Sequence, residues 1–251
     1  MKYRFPILLF SVVAASLLWS CQGEPRTGNG QRASAHHTAD SNHHSAKTST
    51  TALAAAPQVK EKEMYENTNR MVWQKPDLVL GLMGDLSHKT VADIGAGTGF
   101  FSKRLAKHAE KVIAIDIDKR FLNYIDSVKV FEMSEEAQAR LETRLAEPDD
   151  PNLEPGEADV IIIVNTFMYI RDKEAYLETL RQSLSDGGEL FIIDFKKKRT
   201  ELGPPSDIRL PLFEVEEMLY QAGYQDIDAN DTALDYQYII TARKGDSTAQ
   251  Q

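Results

Sequence analysis

The chain has 251 residues, 42% of them hydrophobic and 27% charged, with a formal net charge of −9. That composition excludes a fibrous or wholly disordered protein and fits one globular domain of ordinary size. Residues 1–21 carry Lys2 and Arg4 and no acid, so the remainder holds 27 basic groups against 38 acidic ones, and nucleic-acid binding through overall charge is not expected. The one cysteine, Cys21, rules out an intrachain disulfide, a cysteine nucleophile within the domain and a zinc cluster built on thiolates.

At the N-terminus, Lys2 and Arg4 precede an apolar run from Ile7 to Leu18, which leads into Leu18-Trp19-Ser20-Cys21. The run is too short to span a bilayer comfortably. This order of basic, apolar and small-before-cysteine residues resembles a bacterial lipoprotein signal peptide, with Trp19 departing from the small residue usual at that place. The resemblance implies that residues 1–21 are a signal, that Cys21 becomes the lipidated first residue of the mature chain, and that the protein is anchored to a membrane of the cell envelope. An ordinary cleaved signal, an uncleaved anchor and a later start codon stay open as alternatives. Residues 22–57 are mostly Ser, Thr, Ala, Gly, Asn and His; they cannot bury enough apolar surface to offset their ordering entropy and are expected to form a disordered polar tether. The pairs His36-His37 and His43-His44 read as part of that tether rather than as a metal site.

The folded domain is expected over residues 58–244, followed by a disordered tail at 245–251. Lys60 to Arg70 is a charged helical stretch, and Pro76 to Met83 reads as a short helix begun by proline and closed by Gly84. The period then changes. Thr90 to Ile94 predicts a strand, Phe101 to Ala109 a helix, Val112 to Ile117 a strand and Lys119 to Val128 a helix. A strand is expected near Leu141 to Leu145, and Ala158 to Asn165 contains a β-branched run suited to a strand buried on both faces. The rest predicts a helix from Lys173 to Ser185 ending at Asp186-Gly187-Gly188, a strand from Glu189 to Asp194, a helix from Leu212 to Ala222, and strands Tyr224 to Asp228 and Tyr236 to Ala242. Strands and helices alternating at this spacing define a doubly wound α/β fold, a mostly parallel sheet with helices on both faces. The last two strands lack an intervening helix and are expected to pair antiparallel.

In such a sheet, ligands bind beyond the carboxyl ends of the strands. There the chain reads Asp93-Ile94-Gly95-Ala96-Gly97-Thr98-Gly99-Phe100, three alternate glycines between a strand and a helix. The fingerprint of nicotinamide enzymes needs a third glycine or alanine where Phe100 stands. Asp116 ends the second strand, placed to accept hydrogen bonds from ribose hydroxyls. Helix capping is the plainer alternative for either Asp93 or Asp116 taken alone.

From about Trp73 to Lys244 this set of residues resembles the class I S-adenosylmethionine-dependent methyltransferases. The resemblance implies a seven-stranded sheet with an antiparallel C-terminal hairpin and S-adenosylmethionine as cofactor. It implies that Gly95, Ala96, Gly97 and Gly99 line the cofactor's methionine end, that Asp93 helps hold its ammonium group, and that Asp116 and Ile117 lie against the ribose. An acid after the third strand often faces adenine; Glu147, Asp149 and Asp150 compete for the place, with Asp149 preferred. Asn165 matches a position that borders both cofactor and substrate, although a strand-end turn residue is an equally ordinary identity for it.

Methyl transfer from a sulfonium is an in-line displacement in which the protein mainly aligns the reacting atoms. His88 and His108 fall at the opposite edge of the sheet, so a histidine base is not expected; Asn165, Tyr169 and Asp194 are the catalytic candidates, with Tyr236 a further titratable side chain at that edge. Asn165-Thr166-Phe167-Met168 departs from the Asn/Asp-Pro-Pro-aromatic motif of amino-directed DNA and protein-glutamine methyltransferases, leaving a small-molecule acceptor as the expectation. Lys196-Lys197-Lys198-Arg199 follows the fifth strand and reads as a solvated loop or as a recognition element for an acidic substrate or anionic lipid headgroup. A catalytically silent, envelope-tethered S-adenosylmethionine sensor and, less favoured, a nicotinamide-dependent oxidoreductase are the competing readings. Since S-adenosylmethionine is made in the cytoplasm, an exported domain is in tension with its cofactor; initiation at Met64 would give a cytoplasmic form. Radiolabelled palmitate is expected to mark the full chain and not Cys21→Ala; equal labelling of the two overturns the lipid anchor.

Overall fold

The computed structural model describes residues 69–245. The expected signal, the lipidation at Cys21, the tether at 22–57, the charged helix from Lys60 up to Thr68 and all but the first residue of the 245–251 tail lie outside the described residues. Two short helices, α1 (Arg70–Gln74) and α2 (Pro76–Leu82), lead into β1 (Thr90–Ile94). They are followed by α3 (Ser102–Leu105), β2 (Lys111–Asp116), α4 (Lys119–Glu132), α5 (Glu135–Arg140) and β3 (Leu141–Leu145). Next come β4 (Ala158–Val164), a single 3₁₀ turn (Phe167–Tyr169), α6 (Lys173–Ser183) and β5 (Leu184–Phe195). The domain closes with α7 (Leu212–Gln221), β6 (Tyr224–Asn230) and β7 (Gln237–Lys244).

The seven strands form one sheet in the order β3-β2-β1-β4-β5-β7-β6. The first five are parallel, and β7 runs antiparallel to both β5 and β6. This is the doubly wound sheet with an antiparallel C-terminal hairpin that the sequence predicts. The strand order reverses between β1 and β4, which opens a crevice at their carboxyl ends.

Strand β4 shows why the parallel part holds. Val160, Ile161, Ile162 and Ile163 are all fully buried. Alternate residues serve opposite faces: Ile161 and Ile163 pack with Tyr176, Leu177, Leu180, Val215 and Leu219 of α6 and α7. Val160, Ile162 and Val164 pack with Val79, Phe101, Leu105 and Ile125 of the α2–α4 side. A run of β-branched residues needs apolar cover on both sides, and the crossover helices supply it. Among the described residues no helix is long and apolar enough to cross a membrane.

Helix α4 runs four residues beyond its expected end, strand limits shift by one or two residues, and three further differences have a local cause. The helix expected from Phe101 to Ala109 is regular only over Ser102–Leu105, because the N–H groups of Lys107 and His108 reach back three residues, to Arg104 and Leu105, and tighten the turn. Helix α6 stops at Ser183 rather than at the Asp186-Gly187-Gly188 turn. Leu184 already pairs with Ala158, residues 185–188 loop out, and Glu189 resumes the ladder opposite Val160. Asp159 anchors that bulge by accepting hydrogen bonds from Thr90 N–H at 2.8 Å and Ser185 Oγ at 2.8 Å. Helix α5, for which the sequence reading had no assignment, is capped by Ser134, whose Oγ accepts from Ala137 N–H at 3.3 Å.

Candidate cofactor and acceptor site

The carboxyl ends of β1, β2 and β4 enclose a pocket of about 350 Å³. The loop after β1 forms one wall through Gly95, Ala96, Gly97 and Thr98, and β2 gives Asp116, with Ile117 and Asp118 following. Ala146, Glu147 and Pro148 come from the segment after β3; Asn165, Thr166 and Tyr169 follow β4. Arg70 of α1, Phe121 of α4 and Tyr176 of α6 also line it.

The glycine loop is tied to β2 at three points. Gly95 and Ala96 both donate to the Ile115 carbonyl at 2.9 Å, and Gly97 N–H donates to Asp116 Oδ2 at 2.9 Å. Asp116 Oδ1 accepts from Asp118 N–H at 2.8 Å. Capping of α4 falls instead to Asp118, which accepts from Arg120 N–H, so the capping alternative for Asp116 does not hold. Each Asp116 oxygen has a second lone pair for a ligand hydroxyl. Burial pushes the Asp116 carboxyl above the ordinary aspartate value, offset in part by those backbone N–H groups. Gly95 has φ +72°, and a Cβ there would lie 2.2 Å from Thr166 Oγ1. Only glycine lets the two loops meet.

Not every expected residue reaches the pocket wall. Gly99 does not line it; a Cβ on Gly99 would lie 3.0 Å from Ile125 Cγ1, so this glycine allows α4 to pack on the loop. Asp93 points into the interior, where its Oδ2 accepts from Ser102 Oγ at 2.6 Å. Burial raises its pKa to about 6, with Ser102 and Arg70 pulling it down. Asp149 lies outside the wall and Glu147 within it, because a bridge between Glu147 and Asp150 turns the chain there. Of the three competing acids, Glu147 is the one placed against the pocket.

The catalytic candidates separate likewise. Asn165 and Tyr169 line the pocket, whereas Asp194 is buried beneath the segment they belong to. Asn165 leaves the strand at φ +58° while its N–H still donates to Ile193 at 2.9 Å; Asn tolerates this left-handed conformation better than most side chains. Tyr169 is 54% exposed at the rim. Asp194 Oδ2 accepts from Met168 N–H at 3.0 Å, while Oδ1 and the hydroxyl of Tyr238, its cross-strand neighbour, are buried without hydrogen-bond partners. Burial pushes the Asp194 carboxyl up to about 8, against the pull of Met168 N–H and Lys173. Tyr236 packs edge-on against Trp73 at 6.4 Å.

Two residues carried no signal in the sequence, one in the pocket wall and one in the neighbouring loop after β5. Arg70 is buried, with its Cζ 4.0 Å from the ring centroid of Phe100; Arg104 holds the other guanidinium at the same distance from that ring. Phe100, the residue that breaks the nicotinamide fingerprint, thus holds two guanidinium groups against its ring. Arg209 is the second. Its Nε and both terminal nitrogens donate to the carbonyls of Lys196, Lys198, Leu202 and Pro204 and to Thr200 Oγ1, at 2.6–3.2 Å. The basic loop after β5 therefore has a fixed course.

Residues 92–190 match the family model described as a methyltransferase domain. The chain is 25% identical to a SAM-dependent methyltransferase from Aquifex aeolicus, with a TM-score of 0.67 over 74% of this chain and 98% of that one. It is 31% identical over 125 residues to phosphoethanolamine N-methyltransferase 1 of Triticum aestivum, matching 47% of this chain and 24% of the wheat protein. The chain thus spans about a quarter of the length of that curated relative. Phosphoethanolamine N-methyltransferase 2 of Haemonchus contortus, solved with S-adenosylmethionine, shares the fold at 16% identity, with a TM-score of 0.58 over 69% of this chain and 53% of that one. The fold is that of the class I methyltransferases, residues 92–190 match a methyltransferase domain, and the solved relatives are proteins that use S-adenosylmethionine.

The pocket fits that cofactor. At Gly97 the backbone faces open space, with no atom within 4 Å of where a Cβ would stand, leaving a cradle for close backbone approach at the loop. Asp116 offers carboxylate lone pairs, and Ile117, Phe121, Ala146 and Pro148 offer an apolar wall for a flat ring.

Gly95→Ala is expected to abolish measurable S-adenosylmethionine binding in calorimetry, since the added methyl meets Thr166 and an alanine is strained at that φ; wild-type affinity in this variant overturns the loop assignment. Asp194 and Asp93 predict a pH dependence of known sign. Unfolded aspartates ionise near 3.8, whereas these groups keep their protons to about 8 and about 6 in the native state, so stability falls as pH rises from about 4 to about 8. Asp194→Asn keeps an acceptor for Met168 and removes its share, so the fall in melting temperature between pH 6 and pH 8 is expected to flatten. An unchanged slope contradicts a neutral Asp194.

Proposed function

We propose that this protein catalyses methyl transfer from S-adenosylmethionine to a small-molecule acceptor, in the pocket bounded by the glycine loop, Asp116, Asn165 and Tyr169. The observation that carries the reading is the continuity of that pocket: the loop and Asp116 on one side, Asn165 and Tyr169 on the other, border a single cavity. A relative named for phosphoethanolamine supports an acceptor of that size. When bound, S-adenosylmethionine supplies a methyl group activated by a sulfonium.

The chain's own residues then have separable tasks. Gly95, Ala96 and Gly97 present backbone, and Asp116 holds the loop while offering its remaining lone pairs. Glu147 stands at the far wall and Asn165 at the junction with β4. Tyr169 partly covers the mouth; burial and then the nearby Asp194 raise its phenol above the ordinary tyrosine value, which keeps it protonated. Alignment and exclusion of water are the contributions this wall makes, and both act on rate through orientation. We propose further that the enzyme works attached to a membrane through Cys21, a reading supported by residues 1–21 of the sequence.

Calorimetric titration of the full chain with S-adenosylmethionine and S-adenosylhomocysteine tests the proposal, with NADH as the competing ligand. Saturable binding of the first two, weakened at least about tenfold in Asp116→Ala by loss of charge-assisted hydrogen bonds, is expected. Turnover against a panel of small amines, alcohols and carboxylates then separates an enzyme from a silent binding protein. Preference for NADH overturns the reading.

A further inference from the structure

Four polar side chains form one hydrogen-bonded line through the interior. Arg70 Nε donates to Gln74 Oε1, Gln74 Nε2 donates to Gln237 Oε1 at 3.1 Å, and Gln237 Nε2 donates to Asn165 Oδ1. Gln74 and Gln237 are fully buried. Arg70 and Asn165 both line the pocket, so the line leaves that cavity on one wall and returns on another.

The direction of these bonds is not free to reverse. A guanidinium has donors only, so Gln74 must turn its oxygen toward Arg70 and its NH₂ toward Gln237. Gln237 is then forced to receive with oxygen and to donate with nitrogen, and Asn165 must meet it with Oδ1. Each amide's orientation follows from the one before it, and the whole sequence starts from a group that cannot accept. With its oxygen committed, Asn165 has its two N–H donors left for the pocket. Reversing it would place two NH₂ groups face to face in a buried site, which costs an unsatisfied donor on each.

We propose that Arg70, Gln74 and Gln237 are positioning residues that hold Asn165 as a hydrogen-bond donor toward the methyl acceptor. The acceptor accordingly carries an oxygen that accepts hydrogen bonds, a carboxylate, carbonyl or phosphate, separate from its nucleophilic atom. The two atoms are separate because an N–H donated into an amine's single lone pair would occupy the electrons that attack the methyl carbon, and one donated into an oxygen nucleophile would lower its reactivity. This deepens the methyltransferase reading of the same pocket and rests on it for the word acceptor.

Hydrogen exchange of side-chain amides in the ¹⁵N-labelled full chain tests the arrangement directly. Signals are assigned by their loss in Gln74→Met, Gln237→Met and Asn165→Asp. The NH₂ groups of Gln74 and Gln237 are expected to exchange at least about tenfold more slowly than those of exposed Asn and Gln, because exchange requires the buried line to open. Asn165 NH₂ is expected to exchange freely in the ligand-free protein and with S-adenosylhomocysteine, and to be slowed by sodium acetate or inorganic phosphate but not by methylammonium chloride.

A protected Asn165 NH₂ in the ligand-free protein overturns the polarity. Protection of Asn165 by S-adenosylhomocysteine alone assigns the donor to the cofactor and overturns the acceptor assignment, as does slowing by methylammonium in place of the oxyanions. The oxyanion titrations are also run without S-adenosylhomocysteine. Failure of that ligand to shift the backbone amides of Gly95 to Gly99 speaks against the methyltransferase reading, whereas the ligand-free exchange pattern reports on the line independently.

Gln237→Glu supplies a second readout. Its carboxylate accepts from both neighbours, so Asn165 must turn its NH₂ inward and show oxygen to the pocket. Acetate and phosphate binding is expected to weaken at least about tenfold relative to wild type, the loss of one charge-assisted hydrogen bond, while Gln237→Asn or Gln237→Met lacks this reversal. Unchanged oxyanion affinity in a folded Gln237→Glu protein overturns the positioning role.

Discussion

Asp116 receives the backbone N–H of Gly97 on one oxygen and that of Asp118 on the other, and the pocket depends on this double grip. The loop after β1 contains three glycines at positive φ and would have wide conformational freedom if it were tied only at its ends. The Ile115 carbonyl and the Asp116 carboxylate fix it against β2 before any ligand arrives. Those contacts exist because β1 and β2 are parallel neighbours in register, with Ile94 opposite Ile115. Placement of the loop is thus a consequence of sheet register, and register is held in turn by the apolar layers on both faces. The ordering entropy of the loop is met by folding rather than at the moment of binding.

Much of this was legible in the sequence because it is local. The β-branched run of β4, the glycines after β1 and the acid ending β2 each speak through their immediate neighbours, and the strand from Leu141 to Leu145 has the limits its pattern predicts. What could not be read depends on contacts between distant segments. Gly99 and Gly95 look alike in sequence; only the packing of Ile125 on one and Thr166 on the other separates their roles. Asp149 and Glu147 differ by two places, and the bridge that selects between them is not visible in composition. Arg70 lies before the first strand, in a stretch that reads as charged helix, and enters the site through a tertiary contact with Phe100. A strand-end rule found Asp194, but the same rule carries no depth: its side chain turns inward, toward Tyr238.

Asp93 and Asp194 illustrate how the domain uses carboxyls away from water. Both have raised pKa values from burial, and both meet segments that border the pocket, through Ser102 after the glycine loop and through Met168 after Asn165. A protonated carboxyl in such a place is an ordinary polar cross-link rather than a charge. Their cost appears only as they ionise, so acidity near neutrality becomes part of what holds the two loops at the sheet's edge.

The grip of Arg209 on the loop after β5 has an evolutionary reading. It takes four backbone carbonyls and one threonine hydroxyl, and backbone carbonyls are supplied by any amino acid. Lys196 adds its own tie, Nζ donating to the Leu234 carbonyl at 2.7 Å, but the exposed side chains at 197–199 can be exchanged without disturbing the groups that set the loop's path. A buried arginine largely uncouples shape from composition here, so that a lineage can drift in the charge this rim presents while the scaffold beneath it stays the same.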